Sequence, residues 1–274
     1  MKLAIIGAGL VAKTYHIPAF LRCENVKITA VCDVYEPAAI AMAEPLGAKV
    51  YTDYRELLKD PEVDTVSICT RTDTHCEMAS AAAEAEKYFL EKPMAMNEKQ
   101  ARRIADAWRK TAWFLCWECS TDFARNPNHH GTPSFRADGG NLPCRRRWIR
   151  RRGIPANSWF QRKILSGGGA GLDIGVHAID TTWYLMGCPE PVSVSGVAHR
   201  RLGNIQCKGV ASWGSGSAAA RPMDTEEAMT ALIRFEAEKS MTVTVSWAIN
   251  GPEEDFNLRL YGTKEGACLN PFVI

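Results

Sequence analysis

Between Lys2 and Asp33 the chain runs through a short apolar strand, a glycine turn, an apolar helix and a second strand that ends in an acid. Leu3-Ala4-Ile5-Ile6 has the unbroken apolar character of a strand buried on both faces. Gly7-Ala8-Gly9-Leu10-Val11-Ala12 then gives G-x-G-x-x-A, and Val31-Cys32-Asp33 follows one β-α-β unit later. In that order each residue type has a task. Gly7 permits a tight turn, Gly9 lets backbone approach a pyrophosphate, and Ala12 lets the helix sit close on the strand. The first helical N–H groups, from Gly9 through Leu10 and Val11, face the phosphates, and Asp33 accepts hydrogen bonds from a ribose. The stretch predicts a Rossmann dinucleotide-binding domain. The plainer alternative is a glycine turn in an α/β domain without a nucleotide. Val34, Tyr35 and Glu36 follow Asp33 with no Lys or Arg to neutralise a 2′-phosphate, so NAD is expected over NADP.

Lys2 before an apolar run could be misread as a secretion signal. Leu10 and Ala12 make no small-x-small cleavage site, however, and Lys13 breaks the run early. No stretch approaches the roughly 18 apolar residues of a membrane span. A soluble, cytoplasmic protein is expected. At 274 residues the chain is long enough for two domains with their own cores. A formal net charge of +2 argues against a general nucleic-acid or membrane binder. There are ten cysteines. Cys23, Cys32, Cys69 and Cys76 fall in or beside expected buried elements, where a free thiol serves as a small core residue.

Strand and helix patterns keep alternating after Asp33. Helices are expected at 37–46 and 53–58, strands at 48–51 and 63–69, a loop at 70–75, an alanine-rich helix at 77–86 and a strand at 88–90. Such alternation implies a parallel sheet covered on both faces, with ligands beyond the carboxyl ends of its strands. The loops at 7–12, 33–36, 70–75 and 91–93 should therefore converge. Glu91-Lys92-Pro93 places a charged pair directly after the last of these strands. Taken alone, that is a solvated strand end.

In this order of elements the sequence resembles the glucose–fructose oxidoreductase / inositol dehydrogenase / MocA (Gfo/Idh/MocA) oxidoreductase family. Its matching residues include His16 and Pro18, Thr74-His75, Lys87 and the Glu-Lys-Pro motif. The resemblance implies that Lys92 reaches both cofactor and substrate, and that Thr70, His75 and Glu91 join the glycine loop and Asp33 around the cofactor. Two residues depart from the family pattern, Arg71 where a proline is usual and Glu86 where a glycine is usual. Both are expected to loosen local turns.

Farther on, Ser166-Gly167-Gly168-Gly169-Ala170-Gly171 opens a helix that carries Asp173, His177 and Asp180 on one face. A His near an Asp on a helix is usually a surface pair. Here it matches the family's glycine-rich D-x-G-x-H-x-x-D motif and follows the other two motifs. Oxidising a secondary alcohol needs a base for the hydroxyl proton, and histidine titrates near working pH. Asp173 is expected to orient His177, and Lys92 to hold the substrate oxygen. Lys92, Asp173 and His177 are thus the catalytic candidates, with Trp159 added to the substrate side; no metal is expected. The remaining patterns are strands at 191–198, 231–235, 241–247 and 256–261, implying a mostly antiparallel sheet packed on the 171–186 helix. The resemblance implies that this sheet's other face joins copies into a homo-oligomer.

The pattern fails between Ser120 and Arg147. Asn126 to Pro133 and Asp138 to Asn141 are clusters of turn formers, and six arginines crowd 145–152. A compensated pair of frameshifts in the encoding DNA would explain this, as would ordinary divergence in a surface segment. The segment is expected to be poorly ordered. Cys116-x-x-Cys119 with His129, His130 and Cys144 lacks the histidine spacing of a zinc site, and the cysteine pair does not open a helix as a redox pair would. The arginine run suggests a solvated edge rather than nucleic acid. The pattern stops at Ile274, where family members usually run on, so the second domain looks truncated.

The sequence therefore predicts an α/β Rossmann domain at 1–118 and an α+β domain with a mostly antiparallel open sheet at 119–274. The expected function is NAD(P)-dependent hydride transfer to or from a secondary hydroxyl or carbonyl of a sugar, sugar derivative or cyclitol. The alternative is a catalytically silent dinucleotide-binding regulator, or a disrupted gene product, on the same fold.

Overall fold

An unbroken apolar strand is useful only where both faces are covered, and β1 (Lys2–Ile6) sits at such a place. Ala4 and Ile6 enter one core cluster and Leu3 and Ile5 the other. The computed structural model describes residues 1–86, 89–109, 116–117, 143–155, 157–202, 223–264 and 266–269. It divides into two units, Met1–Trp117 and Glu118–Ile274.

In the first unit β1 is flanked by β2 (Lys27–Cys32), β3 (Lys49–Tyr51), β4 (Thr65–Ile68), β5 (Leu90–Glu91) and β6 (Cys116–Trp117). Their order is β3-β2-β1-β4-β5-β6, and all pairs are parallel. One face is covered by α1 (Ile17–Phe20) and α2 (Glu36–Ala43), which contribute Ile17, Ala39 and Ala43. The other is covered by α4 (Thr72–Glu84) and α5 (Glu98–Trp108), through Cys76, Ala79, Ala82, Ala83, Ile104 and Trp108. The short α3 (Tyr54–Leu58) is capped by Asp53, whose side chain accepts from the Arg55 N–H.

The second unit has a sheet in the order β12-β11-β7-β10-β9-β8. Its strands are β7 (Cys144–Ile149), β8 (Pro191–His199), β9 (Ala228–Phe235), β10 (Ser240–Ser246), β11 (Asp255–Tyr261) and β12 (Gly266–Leu269). Only β7 and β10 pair in parallel; the other pairs are antiparallel. The period-2 pattern of β10 sends Met241, Val243 and Val245 to the buried face, with Trp247 just beyond the strand. After β7 come a 3-10 turn (Ser158–Gln161) and the α-helices α6 (Lys163–Ser166), α7 (Ala170–Asp173) and α8 (Gly175–Leu185). Ile174 and Ala178 share a core with Val243, Val245 and Trp247.

Several expectations need correction. The loop expected at 70–75 ends early, because α4 already begins at Thr72. The glycine-rich helix is two pieces rather than one, since Ile174 separates α7 from α8. The arginine run is no sheet edge: Arg145, Arg146 and Arg147 lie in β7, between β11 and β10, with Arg146 buried and Arg145 exposed. Tertiary pairing there overrides a sequence with little strand character. β8 forms as expected, yet its residues are exposed along the whole strand. Cys32, Cys69 and Cys76 are buried, but Cys23 is exposed. Lys87, Cys119, His129, His130 and the stretch 118–142 lie outside the described residues.

The two departures from the family pattern behave differently. Arg71 has φ −75°, an angle proline itself would hold, and it pairs with Asp73 at 2.9 Å, so the turn is not loosened. Glu86 has φ +55°, a left-handed conformation that a glycine adopts without the Cβ clash.

Candidate active site

At the end of β1, Gly7 has φ +101°, and an added Cβ would lie 2.8 Å from the Cys69 carbonyl carbon. The residue is glycine because the end of β4 passes against it. Gly9 is different: a Cβ there would meet nothing within 4 Å. Helix begins at Leu10, and the amides of a first turn have no acceptor within the helix. Ala12 is fully buried against Leu3 and Ile5, which keeps the helix close to β1. Residues Ala12–His16 form a π-helical turn that runs into α1.

Asp33 directly follows β2, beside this loop. Its Oδ2 accepts from the Ala8 N–H at 2.7 Å and its Oδ1 from the Tyr35 N–H at 2.9 Å. Two backbone amides therefore fix the carboxylate, and each oxygen keeps a lone pair for a further donor. Val34 and Tyr35 beside it are exposed. A donor set of backbone amides, an open position at Gly9 and a fixed carboxylate suit a pyrophosphate joined to a ribose.

The loops after β4 and β5 tie into the same end of the sheet. Thr70 accepts a hydrogen bond from the Thr74 hydroxyl at 2.7 Å. His75 is 1% exposed, and its Nδ1 and Nε2 lie 2.8 Å and 3.1 Å from the carbonyl oxygens of Pro93 and Thr70. Burial pushes its pKa down. The expected cofactor residue His75 thus lies between two loops with its ring away from the surface, and its neutral form donates to one of the two carbonyls. The Glu91 carboxylate accepts from the Lys92 N–H, and the Lys92–Pro93 peptide bond is cis.

In the second unit the glycine run has a structural reason. A Cβ on Gly169 would overlap the Glu226 carbonyl oxygen and lie 2.8 Å from its carbonyl carbon. The Glu226 carboxylate accepts from the N–H groups of Gly169 at 2.8 Å and Gly171 at 3.1 Å, and Ala170 N–H donates to the Glu226 carbonyl at 3.0 Å. The N-terminus of α7 is therefore already filled by an acid of the same chain. Asp173 at its end accepts from Trp247 Nε1 at 2.9 Å. Trp247 packs edge-on against Phe160, and Phe160 stacks on Trp159 with ring centroids 3.8 Å apart. His177, in the first turns of α8, is largely buried and lies 5.9 Å from the Trp148 ring. The Arg150 guanidinium, whose pKa burial lowers, is attracted by Asp173 and Glu254.

Trp247, Glu226, Trp148 and Arg150 were not identified from sequence. Trp247 carried a usable signal, since it continues the inward face of β10. Glu226 carried none, because its partner glycines lie more than fifty residues away. Among the described residues no group of three or more His, Cys, Asp or Glu side chains could hold a metal ion. No helix among them is long and apolar enough to cross a membrane.

Comparison with known proteins meets this geometry. A model described as the oxidoreductase family with an NAD-binding Rossmann fold matches residues 1–116, and one for the GFO/IDH/MocA C-terminal domain matches 143–267. D-glucoside 3-dehydrogenase of Escherichia coli (strain K12) is 30% identical over 276 residues, covering 99% of this chain and 77% of that protein. Myo-inositol 2-dehydrogenase of Thermotoga maritima is 31% identical over 189 residues, 68% of this chain and 55% of that one. The chain belongs to the Gfo/Idh/MocA oxidoreductase family. In fold it is similar to GenD2 from gentamicin A biosynthesis, solved in complex with NAD, with a TM-score of 0.77 at 24% identity over 98% of this chain and 71% of that one. Levoglucosan dehydrogenase in complex with NADH and levoglucosan gives a TM-score of 0.76 at 22% identity, over 99% and 73%.

Proposed function

We propose that this chain is a NAD-dependent dehydrogenase or reductase acting on a secondary hydroxyl or carbonyl of a sugar, sugar derivative or cyclitol. The observation that carries this reading is the open position at Gly9 beside an Asp33 carboxylate already fixed by two amides. The named activities of the two dehydrogenase relatives support the substrate class. When bound, the nicotinamide accepts or returns the hydride. The first-turn amides from Gly9 to Val11 hold the pyrophosphate, and Asp33 accepts from the ribose hydroxyls. His177 takes the hydroxyl proton during oxidation and returns it during reduction. Lys92 holds the substrate oxygen and stabilises its developing charge. Asp173, steadied by Trp247 Nε1, orients the substrate side of the site, with Trp159 as a further wall. Copies associate through the outer face of the second sheet, where Leu232 and Tyr261 are exposed.

A second reading, a dinucleotide-binding protein without turnover or a disrupted gene product, is favoured by a specific observation. Arg146 is 4% exposed in a central strand, and its Nε and Nη1 have no hydrogen-bond partner among the described residues. The two family matches also leave 117–142 between them. The discriminating experiment screens NAD reduction across a panel of hexosides, hexoses, sugar acids and inositols, with NADH binding measured on the same preparation. Turnover on at least one class supports the enzyme. Tight NADH binding with no turnover anywhere supports the silent protein, and translation of the encoding DNA in its other frames across 115–150 then tests the frameshift.

A further inference from the structure

His16 leaves the glycine-loop helix at the end of its π-helical turn, a local widening often found where a helix serves a site. The ring is 5% exposed, packed between Phe20 and Phe89 with centroids 6.1 Å and 5.6 Å away. Its Nδ1 lies 3.0 Å from Ser67 Oγ, and its Nε2 lies 3.3 Å from Glu91 Oε1. Directions follow from the chemistry. A carboxylate cannot donate, so Nε2–H donates to Glu91; in the neutral ring Nδ1 then accepts from the Ser67 hydroxyl. Behind Ser67, the Cys69 sulfur lies 3.5 Å from its Oγ, and burial pushes that thiol's pKa up to about 12, which keeps its proton available. Ahead of Glu91, the other carboxylate oxygen accepts from the Lys92 N–H. The chain of bonds thus runs from Cys69 through Ser67, His16 and Glu91 to the backbone of Lys92. Walled off from water, each link is stronger than it would be at the surface, and its loss leaves a buried group without a partner.

We propose that His16 is a positioning residue for Lys92. It holds the Glu91 carboxylate, which fixes the Lys92 backbone from one side while His75 holds the Pro93 carbonyl from the other. The idea rests on the role given to Lys92 above. A residue that merely filled space beside Phe20 and Phe89 would not need a ring nitrogen aimed at a carboxylate. His16→Gln keeps a donor able to reach Glu91, whereas His16→Ala keeps none.

Both variants are compared with the wild type in three measurements on the full chain. The first is trace acetylation of Lys92 relative to the exposed Lys99, read by mass spectrometry without any substrate. The second is NADH affinity, and the third is turnover on whichever polyol the screen identifies. In His16→Ala, relative labelling of Lys92 should shift at least threefold and kcat should fall about 10–100-fold, with NADH affinity within about threefold. His16→Gln should return labelling to within twofold of wild type and recover most of the turnover. Labelling unchanged in His16→Ala overturns the proposal, as does a shift that His16→Gln fails to restore, because the ring then acts by volume alone. If the wild type turns over no polyol, the reading of Lys92 as catalytic fails, yet the labelling comparison still decides whether His16 positions it.

Discussion

At Gly9 a methyl group would meet nothing within 4 Å, whereas at Gly169 it would overlap the carbonyl oxygen of Glu226. Both glycines precede a helix, and both belong to motifs that look alike on paper. In the first unit the protein leaves the space vacant and aligns a carboxylate, Asp33, through Ala8 and Tyr35. In the second it fills the space with Glu226 and uses the close fit to seat α7, and with it Asp173. The difference teaches that a glycine-rich helix start is a ligand site only where the chain itself does not occupy it. One turn leaves room beside its amides, the other is closed by an acid of the same unit.

The largest expected effect is at the second turn's product. His177→Ala should lower turnover by about 10²–10⁴-fold and leave NADH affinity nearly unchanged. Steady-state kinetics paired with fluorescence titration checks this, and near-normal turnover would remove His177 from the mechanism. Gly169→Ala should destabilise the second unit by about 2–4 kcal/mol, because backbone has to move to admit the methyl group. Denaturant unfolding reads that loss, while NADH affinity serves as the control for the first unit. A variant as stable as wild type would mean that the close approach of Glu226 is not what fixes this turn.

Two smaller changes probe residues that fit their places poorly. Arg146 lies over the rings of Phe256 at 4.2 Å and Trp148 at 5.5 Å, and burial lowers its pKa to about 10. Ring faces offset part of the desolvation, but Nε and Nη1 stay unpartnered among the described residues. Arg146→Leu should therefore raise stability, by about 1–3 kcal/mol. A drop in thermal midpoint would show that the cation–ring contacts outweigh its burial. Glu86→Gly should stabilise the first unit by about 0.5–1 kcal/mol, through relief of the left-handed backbone. Differential scanning calorimetry resolves a change of that size, and a lower midpoint would contradict it.

Much of the first unit was legible in the sequence because its signals are local. The apolar run at 3–6, the glycine spacing and the acid at Asp33 each act within a few residues of one another. Lys92, Asp173 and His177 are candidates by motif alone. What escaped was long-range. The Glu226 grip on Gly169, the Trp247 bond to Asp173 and the His16 bond to Glu91 join residues 57, 74 and 75 positions apart. The arginines of β7 misled for the opposite reason. Their local chemistry argues for solvent, while the partners that make them a central strand lie about a hundred residues on, in Met241–Ser246 and Asp255–Arg259.

The central claim is that the turn at Gly7–Gly9, with Asp33, is a dinucleotide site that prefers an unphosphorylated ribose. Calorimetric titration with NADH and NADPH, on wild type and Gly9→Ala, tests it directly. Wild type should bind NADH more tightly than NADPH. Gly9→Ala should keep its thermal midpoint and lose at least tenfold in NADH affinity, a change of about 1.4 kcal/mol. Tighter binding of NADPH, or NADH affinity untouched by the added methyl group, would contradict the account.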